Sequence, residues 1–152
     1  MNIRRATLFD LNRLITLRMD YLKLEGGLTQ DQEKTIGIQL RKYFVKHIQS
    51  DDFFAILAED AGRVASAAFL VITERPAGPA FITGKSGTVL NVLTYPEYRK
   101  RGLSTQVLLT LIEEARNMGV SMIDLFATPE GVPLYKKLGF QESKFPSMRI
   151  FL

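Results

Sequence analysis

The apolar residues change their period once, near Phe53, and this change restricts the fold more than any other property of the chain. Before it, the spacing is helical. Thr7 and Asp10 have the separation of a capping box. Leu8, Leu11, Leu14, Ile15, Leu17, Met19 and Leu22 then fall mostly on one helix face, and Gly26-Gly27 ends the run. Thr29 and Gln32 repeat the capping spacing ahead of a second stripe, Ile36, Leu40, Tyr43, Phe44 and Ile48. A short edge strand over Asn2 to Ala6 precedes both helices.

From Phe53 the pattern becomes that of a sheet. Phe53 to Ala58 reads as a largely buried strand, and Ala61-Gly62-Arg63 as a tight turn into a second strand, Val64 to Ile72. After the loop at Pro76 to Pro79, Thr88 to Thr94 predicts a central strand that Tyr95-Pro96 terminates, because proline has no N–H for the ladder. Leu103, Val107, Leu108, Leu111, Ile112 and Ala115 give a strong helical stripe closed by Gly119. Met122 to Ala127 predicts a strand, Leu134-Tyr135 a short helix, and Phe140 and Met148 to Phe151 two closing strands. The expected order is β-α-α-β-β-β-α-β-α-β-β, a mixed α/β (α+β) sheet in one domain over residues 1–152, with no internal repeat.

Composition removes several chemistries. With no cysteine there is no disulfide, thiolate nucleophile or Cys-ligated metal, and a single histidine argues against a His-rich metal site, so no metal is expected. The apolar runs are too short for a membrane span and no signal sequence is legible, which makes a cytoplasmic protein the expectation. A net charge of +4 suits an anionic partner, a phosphate-bearing cofactor or nucleic acid. The basic residues are scattered apart from Arg99-Lys100-Arg101 and Lys136-Lys137, which disfavours nucleic acid.

The stretch Asn91 to Ser104 is a strand that ends at a proline and passes through a basic, glycine-bearing loop into a long helix. The first N–H groups of a helix lack internal partners and lie at the positive end of its dipole, so they suit a phosphate. Gly102 lets a backbone approach closely, Arg99, Lys100 and Arg101 add charge, and Ser104 and Thr105 add hydroxyls. Taken alone, this is equally the pattern of a charged turn.

Its surroundings carry more. Arg99-Lys-Arg-Gly-Leu-Ser104 resembles the Arg/Gln-x-x-Gly-x-Gly/Ala motif with which the GNAT superfamily of N-acetyltransferases binds acetyl-CoA, with serine in the last position. Asn91-Val-Leu-Thr-Tyr-Pro-Glu-Tyr98 looks like a variant found in bacterial members, and Pro133-Leu-Tyr-Lys-Lys-Leu-Gly-Phe140 is similar to the second signature. The resemblance implies a GNAT-like fold and acetyl transfer from acetyl-CoA to an amine by direct attack in a ternary complex. It implies that amides from Arg101 through Leu103 to Thr105 take the diphosphate, with Arg99 and Lys100 nearby. Val92, Leu93 and Thr94 would pair with the pantetheine arm, and Tyr135 would protonate the departing thiolate. Ser104 is expected to add a bond to the diphosphate. Asn91 either orients the substrate or satisfies backbone groups. No carboxylate lies on the Thr88 to Thr94 strand, which leaves Glu59, Asp60 or a water chain to take the amine's proton.

Other features read as structural. Gly84-Lys85-Ser86 lacks the earlier P-loop glycine, since that position is Pro79. His47 reads as dipole compensation at a helix end, and Phe44, Phe53, Phe54, Phe69 and Phe81 as core or pocket walls. Two alternatives stand beside acetyl transfer: a catalytically idle acyl-CoA-binding regulatory module, and a basic nucleic-acid-binding domain. The acceptor is not legible, and the resemblance leaves a homodimer open.

Overall fold

The computed structural model describes residues 1–152. Its sheet runs β1 (Asn2–Arg5), β2 (Phe53–Asp60), β3 (Arg63–Glu74), β4 (Lys85–Thr94) and β5 (Met122–Asp124), in that spatial order. Neighbours are antiparallel except β4 and β5, which are parallel and joined by helix α3 (Leu103–Asn117). A parallel pair needs such a crossover, because the chain must return to the same end of the sheet.

Helices α1 (Leu11–Glu25) and α2 (Gln30–His47) cover one face of the sheet, and α3 covers the other. Strand β2 shows why its sequence is continuously apolar. Phe53, Ala55 and Leu57 pack with Leu14, Leu17, Leu40 and Phe44 from α1 and α2. Phe54, Ile56 and Ala58 pack with Val107, Leu108 and Leu111 from α3. Alternate side chains go to opposite faces, and both faces are buried.

The local signals act as their chemistry dictates. Thr29 and Gln32 bond reciprocally at the start of α2, and the Asp10 carboxylate accepts the Thr7 N–H through a 3-10 turn that leads into α1. The hairpin turn uses positive φ at both Ala61 (48°) and Gly62 (79°), the geometry that matches strand twist. His47, the last residue of α2, pairs with Asp52 at 2.9 Å. Ser86 lies inside β4, so Gly84-Lys85-Ser86 opens a strand instead of a phosphate-binding helix.

The end of the chain departs from expectation. Helix α4 (Val132–Lys137) carries Leu134 and Tyr135, but neither Phe140 nor Met148 to Phe151 forms a strand, and the order closes after α4. Strand β5 is three residues long, shorter than the pattern of Met122 to Ala127 suggests, so it offers a partner few ladder bonds. Phe145, Met148, Ile150 and Phe151 are exposed. A cavity of about 810 Å³ lies along the outer flank of β5 and includes Tyr135 and Phe140, but no residue of β4 or of Arg99 to Thr105.

Candidate active site

Strand β4 outruns its neighbour. Pairing with β5 stops at Thr88↔Asp124, while β4 continues to Thr94. Within that extension the ladder to β3 shifts register between Ala67 and Phe69, opposite Asn91, whose φ of 60° marks a bulge. Asn91 is buried, and its Nδ2 donates to the Leu17 carbonyl at 3.2 Å. Its Oδ1 is the only buried side-chain N or O atom without a partner. Asn91 therefore ties the bulge to α1, and the free oxygen is an acceptor held away from water.

Past the bulge, alternation decides which groups are available. Tyr95 donates its N–H to the Ala65 carbonyl of β3 at 3.0 Å, so Leu93 also faces β3, where its carbonyl accepts from Ser66 Oγ. Val92 and Thr94 turn their main-chain groups to the open edge, and there the Thr94 carbonyl accepts from Arg99 Nε at 3.1 Å. Leu93 contributes its side chain to the core beneath α1 and α2.

Pro96–Tyr98 forms one 3-10 turn, Lys100 takes φ 61° and Gly102 φ 73°, and α3 begins at Leu103. The first helical bond runs from the Gln106 N–H to the Gly102 carbonyl. The amides of Arg101, Gly102, Leu103, Ser104 and Thr105 have no acceptor within the protein. A Cβ added at Gly102 would meet nothing within 4 Å, so the space around this residue is open. Lys100 is exposed, and Arg101 lies over the Tyr98 ring at 5.4 Å with Nη2 donating to the Glu97 carbonyl. Free amides at a helix start with basic side chains around them are a donor set that suits a diphosphate.

The serine at the third motif position is occupied elsewhere. Ser66 Oγ spends its proton on the Leu93 carbonyl (3.0 Å), so in the 2.8 Å contact between Ser66 and Thr94 the donor is Thr94. Thr94 has then spent its own proton, so in its 2.8 Å contact with Ser104 the donor is Ser104. The expected bond from the Ser104 hydroxyl to a diphosphate is thereby excluded while this relay stands. Ser104 instead fastens the start of α3 to the end of β4, leaving its N–H for the ligand.

Tyr135 is half-buried in α4, packs against the cluster under α3 and meets Phe140 edge-on at 5.8 Å. Gly131 permits this position, because a Cβ there would come within 2.8 Å of Tyr135 Cε2. Burial raises the Tyr135 pKa above that of free tyrosine, and the charge of Glu25 raises it further. The hydroxyl is therefore held protonated, as an acid requires. The same carboxylate acts on Tyr21, whose pKa burial first, and then Glu25, push up to about 12. The charge at the end of α1 thus acts on the candidate acid in α4, a coupling no local signal announces.

Glu59, one of the carboxylates considered as a base, is committed elsewhere. It accepts from Arg4 Nη2 at 2.8 Å and from Arg13 Nη1 at 2.7 Å, beside the buried Asp10, which Arg4 also holds. Arg4 keeps both carboxylates below their usual range. Asp60 closes β2 opposite Arg63 at the hairpin turn.

The profile of the Acetyltransferase (GNAT) family matches residues 14–140. The chain belongs to the GNAT acetyltransferase family. Among relatives of this GNAT chain, glucosamine 6-phosphate N-acetyltransferase 1 of Oryza sativa subsp. japonica is 35% identical over 92% of the chain and 81% of its own length. An uncharacterized N-acetyltransferase, ycf52, of Pyropia yezoensis is 40% identical over 38% of the chain, which spans 33% of that protein's length. A protein of Clostridium acetobutylicum, described as a predicted acetyltransferase and solved with acetyl-CoA, superposes with a TM-score of 0.85. It is 27% identical, and the match covers 97% of this chain and 95% of that one. No helix here is long and apolar enough to cross a membrane, and no group of three His, Cys, Asp or Glu is placed to hold a metal.

Proposed function

We propose that this protein transfers an acetyl group from acetyl-CoA to a primary amine by direct attack in a ternary complex. The observation that carries the reading is the row of amides from Arg101 to Thr105, unsatisfied by the fold, with open space around Gly102 in their midst. These amides would hold the diphosphate, with Lys100 adding charge beside them. The main-chain groups of Val92 and Thr94 on the open edge of β4 would receive the pantetheine arm as an added strand. Acetyl-CoA supplies the activated acetyl thioester.

What the residues do then follows from their protonation. With no cysteine to form an acyl-enzyme, the amine's lone pair forms the C–N bond directly, and the C–S bond breaks with its electron pair passing to sulfur. Tyr135 gives its hydroxyl proton to that sulfur, and the nitrogen's surplus proton leaves to solvent, from which Tyr135 is restored. Holding the two reactants at the end of β4 supplies the orientation. The rice relative acts on glucosamine 6-phosphate, which makes an amino sugar phosphate the first acceptor to assay.

Titration calorimetry with acetyl-CoA, followed by thiol release across an amine panel, tests this. Binding is expected, with turnover that falls about 100-fold or more in Tyr135→Phe while acetyl-CoA affinity is kept. Absence of acetyl-CoA binding at millimolar concentration overturns the reading. Binding without turnover of any amine leaves the idle regulatory module in its place.

A further inference from the structure

On helix α1 a half-buried cation, Arg18, has no carboxylate partner. Arg18, Tyr21 and Glu25 occupy successive turns of one α1 face, at i, i+3 and i+7. The Arg18 guanidinium lies 5.8 Å from the centre of the Tyr21 ring, and the charge of Glu25 reaches both Tyr21 and Tyr135. That face is fixed against β4 at two points. Asn91 Nδ2 holds the Leu17 carbonyl, adjacent to Arg18, and Tyr95 Oη donates to Asp20 at 2.6 Å. Helix α1 is therefore anchored to the bulge on both sides of Arg18, and the same helix face carries on to Tyr21 and to Glu25, whose charge reaches Tyr135.

Other arginines near the ends of these elements have partners. Arg4 and Arg13 share Asp10 and Glu59, Arg5 reaches Glu114, Arg63 reaches Glu97, and Arg75 bonds to Ser86 Oγ. Arg18 is half-buried and has only the tyrosine ring, and burial lowers its pKa with no carboxylate to offset the loss of water. A desolvated guanidinium with unused donors costs stability, and an incoming carboxylate or phosphate would offset that cost by a charge-assisted bidentate contact.

We infer that the acceptor carries an anionic oxygen group, carboxylate or phosphate, beside its amine, and that Arg18 binds this group while Glu25 attracts the amine end toward Tyr135. The inference rests on the acetyltransferase reading and narrows its substrate class to small zwitterionic amines. Arg18 acts as a specificity residue, touching the acceptor but not the reacting atoms.

The test uses the full chain at saturating acetyl-CoA and reads thiol release with matched acceptors: glucosamine 6-phosphate against glucosamine, and amino acids against their amides. The anionic member of at least one pair is expected to exceed its neutral partner by about tenfold or more in kcat/KM. Arg18→Gln should remove that advantage by raising KM about 10- to 100-fold for the anionic member alone, and Arg18→Lys should restore part of it. The pair that shows the effect separates phosphate from carboxylate. Equal use of neutral and anionic members, an advantage that survives Arg18→Gln, or acetyl-CoA binding with no pair turned over would each overturn the inference. Failure to bind acetyl-CoA at all would overturn the acetyltransferase reading first, so calorimetry on wild type and Arg18→Gln separates the two failures.

Discussion

Gly131→Ala isolates the positioning of Tyr135 from its chemistry. The added Cβ would sit 2.8 Å from Tyr135 Cε2 and 3.3 Å from Thr128 Oγ1, where ordinary contact begins at 3.4 Å. The ring must therefore retreat by at least 3.4 − 2.8 = 0.6 Å, and the hydroxyl beyond it swings further. Helix α4 is six residues long and holds no fully buried side chain, so the ring yields without disrupting the core. Stability should fall by only about 1 kcal/mol, most of it from replacing glycine by alanine at the helix N-cap. Activity should fall more, by about 10- to 100-fold in kcat, because a displacement near 1 Å at a reacting group is costly. The assay is thiol release at saturating acetyl-CoA and acceptor, with a thermal melt to confirm folding and calorimetry to confirm unchanged acetyl-CoA affinity. In a Tyr135→Phe background the ring still moves but no acid remains to be misplaced, so the further loss should be below about threefold. Wild-type kcat in Gly131→Ala, or the same fold loss in both backgrounds, would refute the role given to Tyr135.

Two further outcomes follow from the hydrogen bonds. Ser104→Ala should leave acetyl-CoA affinity within about twofold, since the ligand would be met by the Ser104 N–H, yet cost about 1 kcal/mol in thermal or urea unfolding through the broken relay to Thr94. The Asp10 and Glu59 carboxyls are held below their ordinary values by Arg4. Because a depressed folded pKa stabilises above the unfolded value, near 4, their contribution is full at neutral pH and is lost as pH falls through the folded values. Urea unfolding from pH 7 down to about 2 should show that acid limb, and Arg4→Met should lower neutral stability by about 1–3 kcal/mol and flatten the limb.

Much of the fold is legible because periodicity and capping are local. The reciprocal bonds of Thr29 and Gln32, the turn at Ala61-Gly62 and the end of β4 at Tyr95-Pro96 each need only neighbouring residues. The closing strands are illegible for the opposite reason. Met148 to Phe151 has the composition of a strand, but pairing depends on the length of β5, a distant element that stops after three residues. Glu59 could be named from sequence as a carboxylate near a turn, yet its engagement by Arg4 and Arg13 depends on β1 lying beside β2.

The sequence by itself determined the strand, the glycine-bearing basic loop and the helix start that together present unsatisfied amides, because dihedral preference and the polarity of a helix end are properties of a few adjacent residues. Tertiary structure alone decided which side chains remain free to act there. It spent the Ser104 proton on Thr94, turned Leu93 toward β3, set Arg18 over the Tyr21 ring, and brought the charge of Glu25 within reach of Tyr135. Those outcomes depend on contacts between residues far apart in the chain, and a hydroxyl or a guanidinium has no fixed role until packing supplies its partner or withholds one.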